Sequence, residues 1–367
     1  MSELIILLAS LYVIGQLTYG FRVKYADIDA YRNQDSDSGS NNQEDDLPTV
    51  SLLIPARNET HAITNALHNA LSLNYPRLEI IVLDDQSGDN TSEKIRSFAH
   101  DGIRFIEGKP LLEGWVGKNW ANHQLASAAS GEILVFCDTD VWLNTDGLYR
   151  LISYVKSSNV QAVSVIPKLL PESKIELLIF PILHWLLISS SYFKSSNYLS
   201  YGGLTVFEKE AYLRHGGYSK YFDKVLPELW TAKDFNRSSS LEFKTFRNNN
   251  FNFTFKKKPS SLFESRVRYL RPMYHGFPFI AAKHLLCTTT PLLILYLGKA
   301  WLYVAVALIY SLSLHQQTKY WWLIPITLPV VSIVELVALG LSFWNHWRNK
   351  VSWKERNIST EVTAQST

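Results

Sequence analysis

Cysteine is nearly missing from this 367-residue chain: Cys137 and Cys287 are the whole complement. They stand far apart, one in a run that reads as a buried strand and the other in a long apolar stretch. Neither a disulfide framework nor a CxxC zinc site is available, so the folded part is not built for an oxidising compartment. A strong charge of one sign is missing too. The net charge is +3 and no run of Lys and Arg is interleaved with aromatics, which excludes nucleic acid as a partner. The N-terminus lacks the layout of a signal peptide. Leu4 to Phe21 is uncharged and apolar, but its basic neighbours Arg22 and Lys24 come after it, and no small-residue cleavage site follows.

Apolar sequence is plentiful at the two ends, which the ordinary hydrophobic fraction of 47% conceals. The length leaves room for one large domain plus membrane segments. Leu4 to Phe21 is long enough to cross a hydrocarbon core, so residues 1–23 read as a transmembrane anchor. The positive-inside rule then puts Arg22 and Lys24 in the cytoplasm and Met1 outside. Leu285 to Leu314 and Trp321 to Trp344, separated by the polar His315-Gln316-Gln317-Thr318-Lys319, read as a transmembrane hairpin over 285–345. The tail, 346–367, opens with His346, Arg348 and Lys350, continues with Lys354, Glu355 and Arg356, and returns to the cytoplasm. Lys299 and Glu335 sit inside these stretches at a cost. Pairing across the hairpin would relieve both; alternatively Lys299 snorkels, or the first stretch crosses only from about Ala300. Ile175 to Phe193, interrupted by Glu176, Pro181 and His184, reads as an interfacial segment lying on the membrane. Asp27 to Asp46 is acidic, rich in Ser and Asn and poor in large aliphatics, as expected for a flexible linker spanning 24–47.

The remaining span, 48–284, has the pattern of an α/β sheet. Thr49 to Pro55 is a short apolar run of the kind that forms a buried parallel strand, and a helix is expected through Ala62 to Leu73. Leu78 to Leu83 is a second such strand, ending in Asp84-Asp85-Gln86-Ser87-Gly88-Asp89-Asn90-Thr91, with Ser92 opening the next helix. Open sheets of this βαβ type bind ligands at the carboxyl ends of their strands, where these polar residues fall. A third run, Ile133 to Cys137, delivers Asp138-Thr139-Asp140. Carboxylates at i and i+2 off a strand end can face one ligand, and hard oxygens suit Mg²⁺ or Mn²⁺ bridging a diphosphate.

Taken in order and spacing, Pro55-Ala56-Arg57-Asn58-Glu59, Asp84-Asp85-Gln86-Ser87 with Asp89 and Thr91, and Asp138-Thr139-Asp140 resemble the family-2 glycosyltransferases over about 48–285. Gly114-Trp115-Val116-Gly117-Lys118-Asn119-Trp120-Ala121 looks like the members that glycosylate carotenoids and hopanoids, the diaponeurosporenoate glycosyltransferase group. Met273-Tyr274-His275-Gly276-Phe277 with Lys283 resembles that group's segment before its membrane hairpin. The resemblance implies a GT-A fold, a Rossmann-like mixed sheet, and inverting transfer of a hexose from a nucleotide-diphosphate sugar to a lipid-like acceptor. A UDP-sugar is the leading donor, and the reaction would take place at the cytoplasmic face of the inner or plasma membrane. Pro55, Arg57, Glu59, Asp84 and Asp85 would shape the pocket for the donor's base and ribose. Lys118 would approach the nucleotide or its phosphates. Asp140 would hold the metal, with Asp138 nearer the ribose and the metal's outer shell. Plain structural roles stay open: Pro55 ending a strand, Asp84 capping a helix, Lys118 a solvated loop charge.

The chain departs from its relatives at the base. Their Glu-Asp pair downstream of Gly-Gly-Tyr appears here as Glu228-Leu229, after Gly216-Gly217-Tyr218. An inverting transfer needs a carboxylate to take the acceptor hydroxyl's proton. Glu228 is the first choice, with Asp223 and Asp234 near enough to substitute. The Gln-x-x-Arg-Trp motif of processive polysaccharide synthases is absent, leaving only Arg266-Val267-Arg268-Tyr269 and Arg271, so transfer of a single sugar is expected. Two alternatives stand beside it: a polysaccharide or lipid-linked oligosaccharide transferase, and an inactive sugar-nucleotide-binding protein. The altered Glu-Asp pair favours the inactive protein and the intact Asp138 and Asp140 oppose it.

Overall fold

The computed structural model describes residues 7, 10, 11, 15, 47–158, 160–170, 200–235, 237–238, 241–254, 259–314, 321–348, 350–354 and 356–357. The expected N-terminal anchor, acidic linker and interfacial segment at 175–193 therefore lie outside the described residues, apart from isolated positions.

The apolar run at the start of the sheet becomes strand β1 (Val50–Ala56), covered on both faces as such a run requires. Helix α1 (Ile63–Leu71) follows, shorter at both ends than expected, and it buries Ile63, Ala66, Leu67 and Ala70, one stripe at helical spacing. Strand β2 (Leu78–Asp84) then pairs parallel to β1, with Pro55 opposite Leu83 and Ala56 opposite Asp84, so the acidic loops after both strands emerge level. Next come α2 (Thr91–Arg96), β3 (Ile103–Glu107), α3 (Gly117–Ala128), β4 (Ile133–Cys137), β5 (Val141–Leu143), α4 (Gly147–Ser158) and β6 (Ala162–Leu170). After residue 200 the sheet continues with β7 (Leu204–Glu208), α5 (Lys209–His215), α6 (Pro227–Phe235) and β8 (Phe243–Thr254).

The sheet order is β3-β2-β1-β4-β7-β6-β8-β5. Strands β3, β2, β1 and β4 run parallel, and β7 lies antiparallel to β4 and β6, which makes the sheet mixed as expected. Strand β1 stands between β2 and β4, the point at which chain order reverses and the crevice at the strand ends opens. Behind it Leu53, Ile81, Leu83, Leu125 and Leu134 fill the core. Phe136 meets Tyr218 and Phe207 edge-on at ring centroids 5.0 and 6.0 Å apart, pinning the segment before α6 to the sheet.

Contacts group the chain into two compact units. One holds the described residues of 25–168, 200–254 and 352–357, and the other those of 1–24, 169–199 and 255–351. The sheet unit thus stops at Thr254, ahead of the boundary expected at 284, and it takes back the tail. The second unit contains α7 (Pro259–Gly276), α8 (Pro278–Tyr296), α9 (Ala300–Leu314) and α10 (Ile324–Trp347). Among the described helices, Pro278–Tyr296 and Trp321–Trp347 are long and apolar enough to cross a membrane. The run expected as one span from Leu285 to Leu314 is instead two helices. Gly298, at φ +69°, takes a left-handed conformation that a glycine adopts without steric cost, and a new helix starts at Ala300.

Glu335 also differs from expectation. Its carboxylate meets Arg266 of α7, whose Nε lies 3.1 Å from Oε2 and whose Nη2 bonds the other oxygen, and His284 Nε2 of α8 lies 3.0 Å away. Its partners are therefore not Lys299 across a hairpin but two cationic or polar groups on neighbouring helices. Removing one member strands the other's charge in a buried place. Glu335→Ala should cost about 3–5 kcal/mol, read as a lower unfolding midpoint in detergent, whereas Glu335→Gln should cost less.

Candidate active site

The loops after β1 and β2 are locked together before any ligand arrives. Asn58, at φ 49°, is a residue type that tolerates the left-handed region. Its backbone N–H donates to Ser87 Oγ at 2.9 Å and its Oδ1 accepts from the Gly88 N–H at 2.9 Å. Arg57 donates through Nη1 to the carbonyls of Asp85 and Gln86 at 2.5 and 2.6 Å. Asp84 accepts from Ser87 Oγ, from the Ser87 N–H at 3.3 Å and from Ser92 Oγ at 2.7 Å. It does not cap the helix that follows, whose N-cap position is Asn90, but sets the loop's shape with both carboxylate oxygens. Asp89 is exposed at the edge of the same loops. Partial desolvation would raise its pKa, but hydrogen bonds from Thr60 and Thr91 outweigh that and hold it down to about 2.

Asp85 is 2% exposed. One oxygen, Oδ2, takes Arg356 Nη1 at 2.6 Å. Burial lifts the carboxyl above its ordinary range against the pull of Arg356 and Arg57. Glu59 uses its backbone carbonyl to accept from the Ala62 and Ile63 N–H groups at the start of α1, and its carboxylate meets Lys354. Pro55 lies within β1, one residue before its end at Ala56.

At the end of β4 the burial pattern alternates: Asp138 and Asp140 are half-buried while Thr139 between them is 4% exposed. Both aspartates follow β4 directly and so stand at its carboxyl end. Lys118, second residue of α3, donates to Asp138 Oδ2 at 2.7 Å and to the Gly202 carbonyl at 3.0 Å. It is not a solvated loop charge. Gly202 in turn has no room for a side chain, because a Cβ there would lie 2.8 Å from the carboxyl carbon of Glu228 and 2.9 Å from its Oε1. Asp138, Lys118, Gly202 and Glu228 thus form one connected group. Burial raises the Glu228 carboxyl to about 7; the Lys118 charge pulls it down and Asp138 pushes it up.

The other candidate bases have partners of their own. Asp234 accepts from Tyr221 Oη and ion-pairs with Lys220 Nζ at 2.7 Å, and Asp223 pairs with Lys224 Nζ at 2.7 Å. Lys220 and Tyr221 hold Asp234 below its ordinary range against its partial burial.

Sequence reading missed two sets of residues. Asn119, buried, donates through Nδ2 to the carbonyls of Tyr221, Phe222 and Lys224 at 2.8, 3.3 and 2.8 Å, clasping the loop that leads to α6. Trp115 packs on Phe222 and Trp120 beside it, so the specific-looking Trp-rich stretch serves to hold the Glu228 loop. The second set, Lys354 and Arg356, had been read only as tail charges.

Residues 51–174 match the model of glycosyl transferase family 2. Over this segment, about a third of its length, the chain is similar to that family. It is 35% identical over 111 residues to the probable glycosyltransferase YdaM of Bacillus subtilis, covering 29% of this chain and 26% of the relative. It is 28% identical over 198 residues to the 4,4'-diaponeurosporenoate glycosyltransferase of Staphylococcus haemolyticus, covering 52% of each. The chain therefore spans about half or less of the length of these curated relatives. A similar fold is seen in the mannosyltransferase PcManGT from Pyrobaculum calidifontis, solved with GDP-Man and Mn²⁺. That structure is similar at a TM-score of 0.55 and 17% identity over 92% of this chain and 99% of that one.

Proposed function

We propose that this protein is an inverting, membrane-bound glycosyltransferase that moves one hexose from a nucleotide-diphosphate sugar to a lipid-like acceptor. The carrying observation is the connected group of Asp138, Lys118, Gly202 and Glu228 at the end of β4. It sets a carboxyl whose pKa is about 7 beside the carboxylates at the strand end, which is what base-assisted displacement from a diphosphate needs.

Asp140 and Asp138 suit a divalent ion, Mg²⁺ or Mn²⁺. Among the described residues no group of three or more His, Cys, Asp or Glu gathers. These two carboxylates would hold the ion as hard oxygen ligands of the kind Mg²⁺ takes. Such an ion supplies neutralisation of the leaving diphosphate's charge. Lys118 adds a fixed positive charge to the same place while orienting Asp138, and the loops after β1 and β2 receive the nucleoside. Glu228 accepts the acceptor hydroxyl's proton as that oxygen attacks the anomeric carbon.

The membrane reading rests on α8 to α10. Phe279, Tyr296, Trp301, Ile326 and Trp347 each leave 70% or more of their surface uncovered, and helices Pro278–Tyr296 and Trp321–Trp347 are long and apolar enough to cross a bilayer. The single-sugar reading gains support from Arg266, which ion-pairs with Glu335, and from Arg268, which lies over its neighbour Tyr269 at 4.5 Å. Both are taken up in packing within the helical unit. Because the sheet unit contains both Thr254 and Ser352, the chain between them must cross the membrane an even number of times. A reporter fused after Thr367 should therefore be protected or labelled together with the sheet unit; opposite labelling would remove the two-crossing topology.

The test is to incubate membranes containing the protein with a panel of radiolabelled nucleotide sugars and extract the product into organic solvent. Label in a lipid fraction is the expected result. Label in a water-soluble polymer would replace lipid transfer with polysaccharide synthesis, and nucleotide binding without any transfer would make the protein an inactive binder.

A further inference from the structure

The last described residues return to the loops after β1 and β2. Strands β9 (Ser352–Trp353) and β10 (Arg356–Asn357) form a small antiparallel hairpin, with Arg356 opposite Trp353 and Asn357 opposite Ser352. Its turn holds Lys354 at φ 47°, a conformation costly for a residue with a side chain and one that persists only where surroundings enforce it. The surroundings here are the nucleotide loops. Lys354 Nζ donates to the Glu59 carboxylate and to the Arg57 carbonyl, and its own carbonyl accepts from Arg57 Nε at 3.1 Å. Arg356 grips Asp85 twice, Nη1 to Oδ2 at 2.6 Å and Nη2 to the backbone carbonyl at 3.2 Å, and it reaches Gln86 Oε1 at 2.9 Å. Both cations are 15% exposed, so these are enclosed pairs rather than rim contacts.

The arrangement leaves one atom unspent. Asp85 Oδ1 is buried and has no hydrogen-bond partner among the described residues. A buried carboxylate oxygen left bare is expensive unless a ligand completes it. Arg356 holds the other oxygen, and that fixes where Oδ1 points.

We propose that the C-terminal hairpin is a structural wall of the donor pocket, with Arg356 and Lys354 as positioning residues that orient Asp85 and Glu59 toward a nucleoside diphosphate. This rests on the reading of the β1 and β2 loops as the donor site. Arg356 acts through Asp85: it presents Oδ1 as an acceptor for an N–H of the bound nucleoside. Lys354 acts through Glu59 and the Arg57 carbonyl, holding the first loop closed. The tail thereby makes donor binding depend on the chain that emerges after the helical unit, since α10 ends at Trp347, a few residues before the hairpin begins.

The experiment uses the full-length protein in detergent with Mn²⁺, measuring calorimetric binding of UDP and of GDP, and initial rates with the corresponding sugar nucleotides. Arg356→Gln should weaken binding of whichever nucleotide the wild type takes by about 10- to 100-fold, the range of a lost charge-assisted hydrogen bond. KM for the donor should rise by a similar factor while kcat changes less than threefold or so, and Arg356→Lys should restore part of the loss because one ammonium can still meet Oδ2. A chain ending at Lys350 should reproduce the Gln variant's weak binding with an unfolding midpoint close to wild type. Unchanged binding in both variants overturns the proposal while leaving the donor site in place. Tighter binding in the truncated chain overturns it as well, because the hairpin would then be a plug. Wild-type protein that binds neither nucleotide overturns the donor-site reading and this proposal together.

Discussion

Glu228→Gln should lower the rate of sugar transfer by about 10²- to 10⁴-fold, the usual contribution of a general base, while nucleotide binding stays near wild type. The amide fills the same space against Gly202, whose missing side chain is what admits the carboxyl, but it cannot take a proton. The pH profile gives a second reading of the same group. With its pKa raised to about 7 by burial, Glu228 is protonated and idle below that value, so kcat/KM in wild type should fall as pH drops through 7. Lys118 pulls the value down, so Lys118→Met should move the acidic limb to higher pH. Stability must move the other way. A carboxyl with an ordinary pKa of 4.5 that rises to about 7 on folding binds more protons in the native state. Native stability therefore declines as pH climbs through that window. Glu228→Gln removes the penalty, so at pH 8 the variant should melt at a higher temperature than wild type although it is catalytically dead. A dead variant that also melts lower would assign Glu228 a structural role. Asp234→Asn, whose carboxylate is held by Tyr221 and Lys220, should keep most of the activity; the reverse pattern would put the base on Asp234.

How much of this was legible in the sequence depends on the range of the interactions involved. Strands β1, β2 and β4 were readable because each is a short apolar run stopped by an acidic loop, and a buried parallel strand requires such a run. Asp84 drew on partners close in sequence, Ser87 and Ser92, yet as a loop brace and not as the helix cap the sequence left open, since the N-cap position falls on Asn90. The break at Gly298 was carried by the Gly298-Lys299 pair, but summed hydropathy averages over it, and a single span was expected where two helices stand. Glu335 drew its partners from two other helices, and no periodicity along one helix specifies a neighbour. The tail was the least legible. Lys354 and Arg356 find partners 297 and 271 residues earlier in the chain, and their charge alone carried only an orientation in the membrane. Asn119 was quoted within a specific motif, yet its purpose is visible only once the Tyr221 to Lys224 loop is seen folded beneath it.

Asp140→Asn should reduce transfer by roughly 10²- to 10⁴-fold, and excess EDTA should bring wild type to the same level. The substitution keeps the side chain's shape and removes one of the two carboxylates that directly follow β4, where no larger acidic cluster gathers among the described residues. Each of the two therefore carries a large share of the charge that can hold a divalent ion. Asp140 is half-buried, so the amide should fold as well as wild type, with an unfolding midpoint changed by no more than a degree or two for a shift within about 0.5 kcal/mol. Asp138→Asn is expected to behave differently although it stands only two residues away. Asp138 neutralises Lys118, which is also tied to the Gly202 carbonyl beside Glu228. Losing that charge lets the Lys118 field act unopposed on Glu228, and Asp138 itself no longer raises the Glu228 carboxyl. The acidic limb should therefore shift to lower pH in Asp138→Asn and stay in place in Asp140→Asn. Higher concentrations of Mn²⁺ should restore part of the activity of Asp140→Asn, since weakened binding is repaired by mass action. Full activity of Asp140→Asn in the presence of chelator would take the divalent ion out of the reaction and leave Lys118 as the counter-charge to the leaving diphosphate.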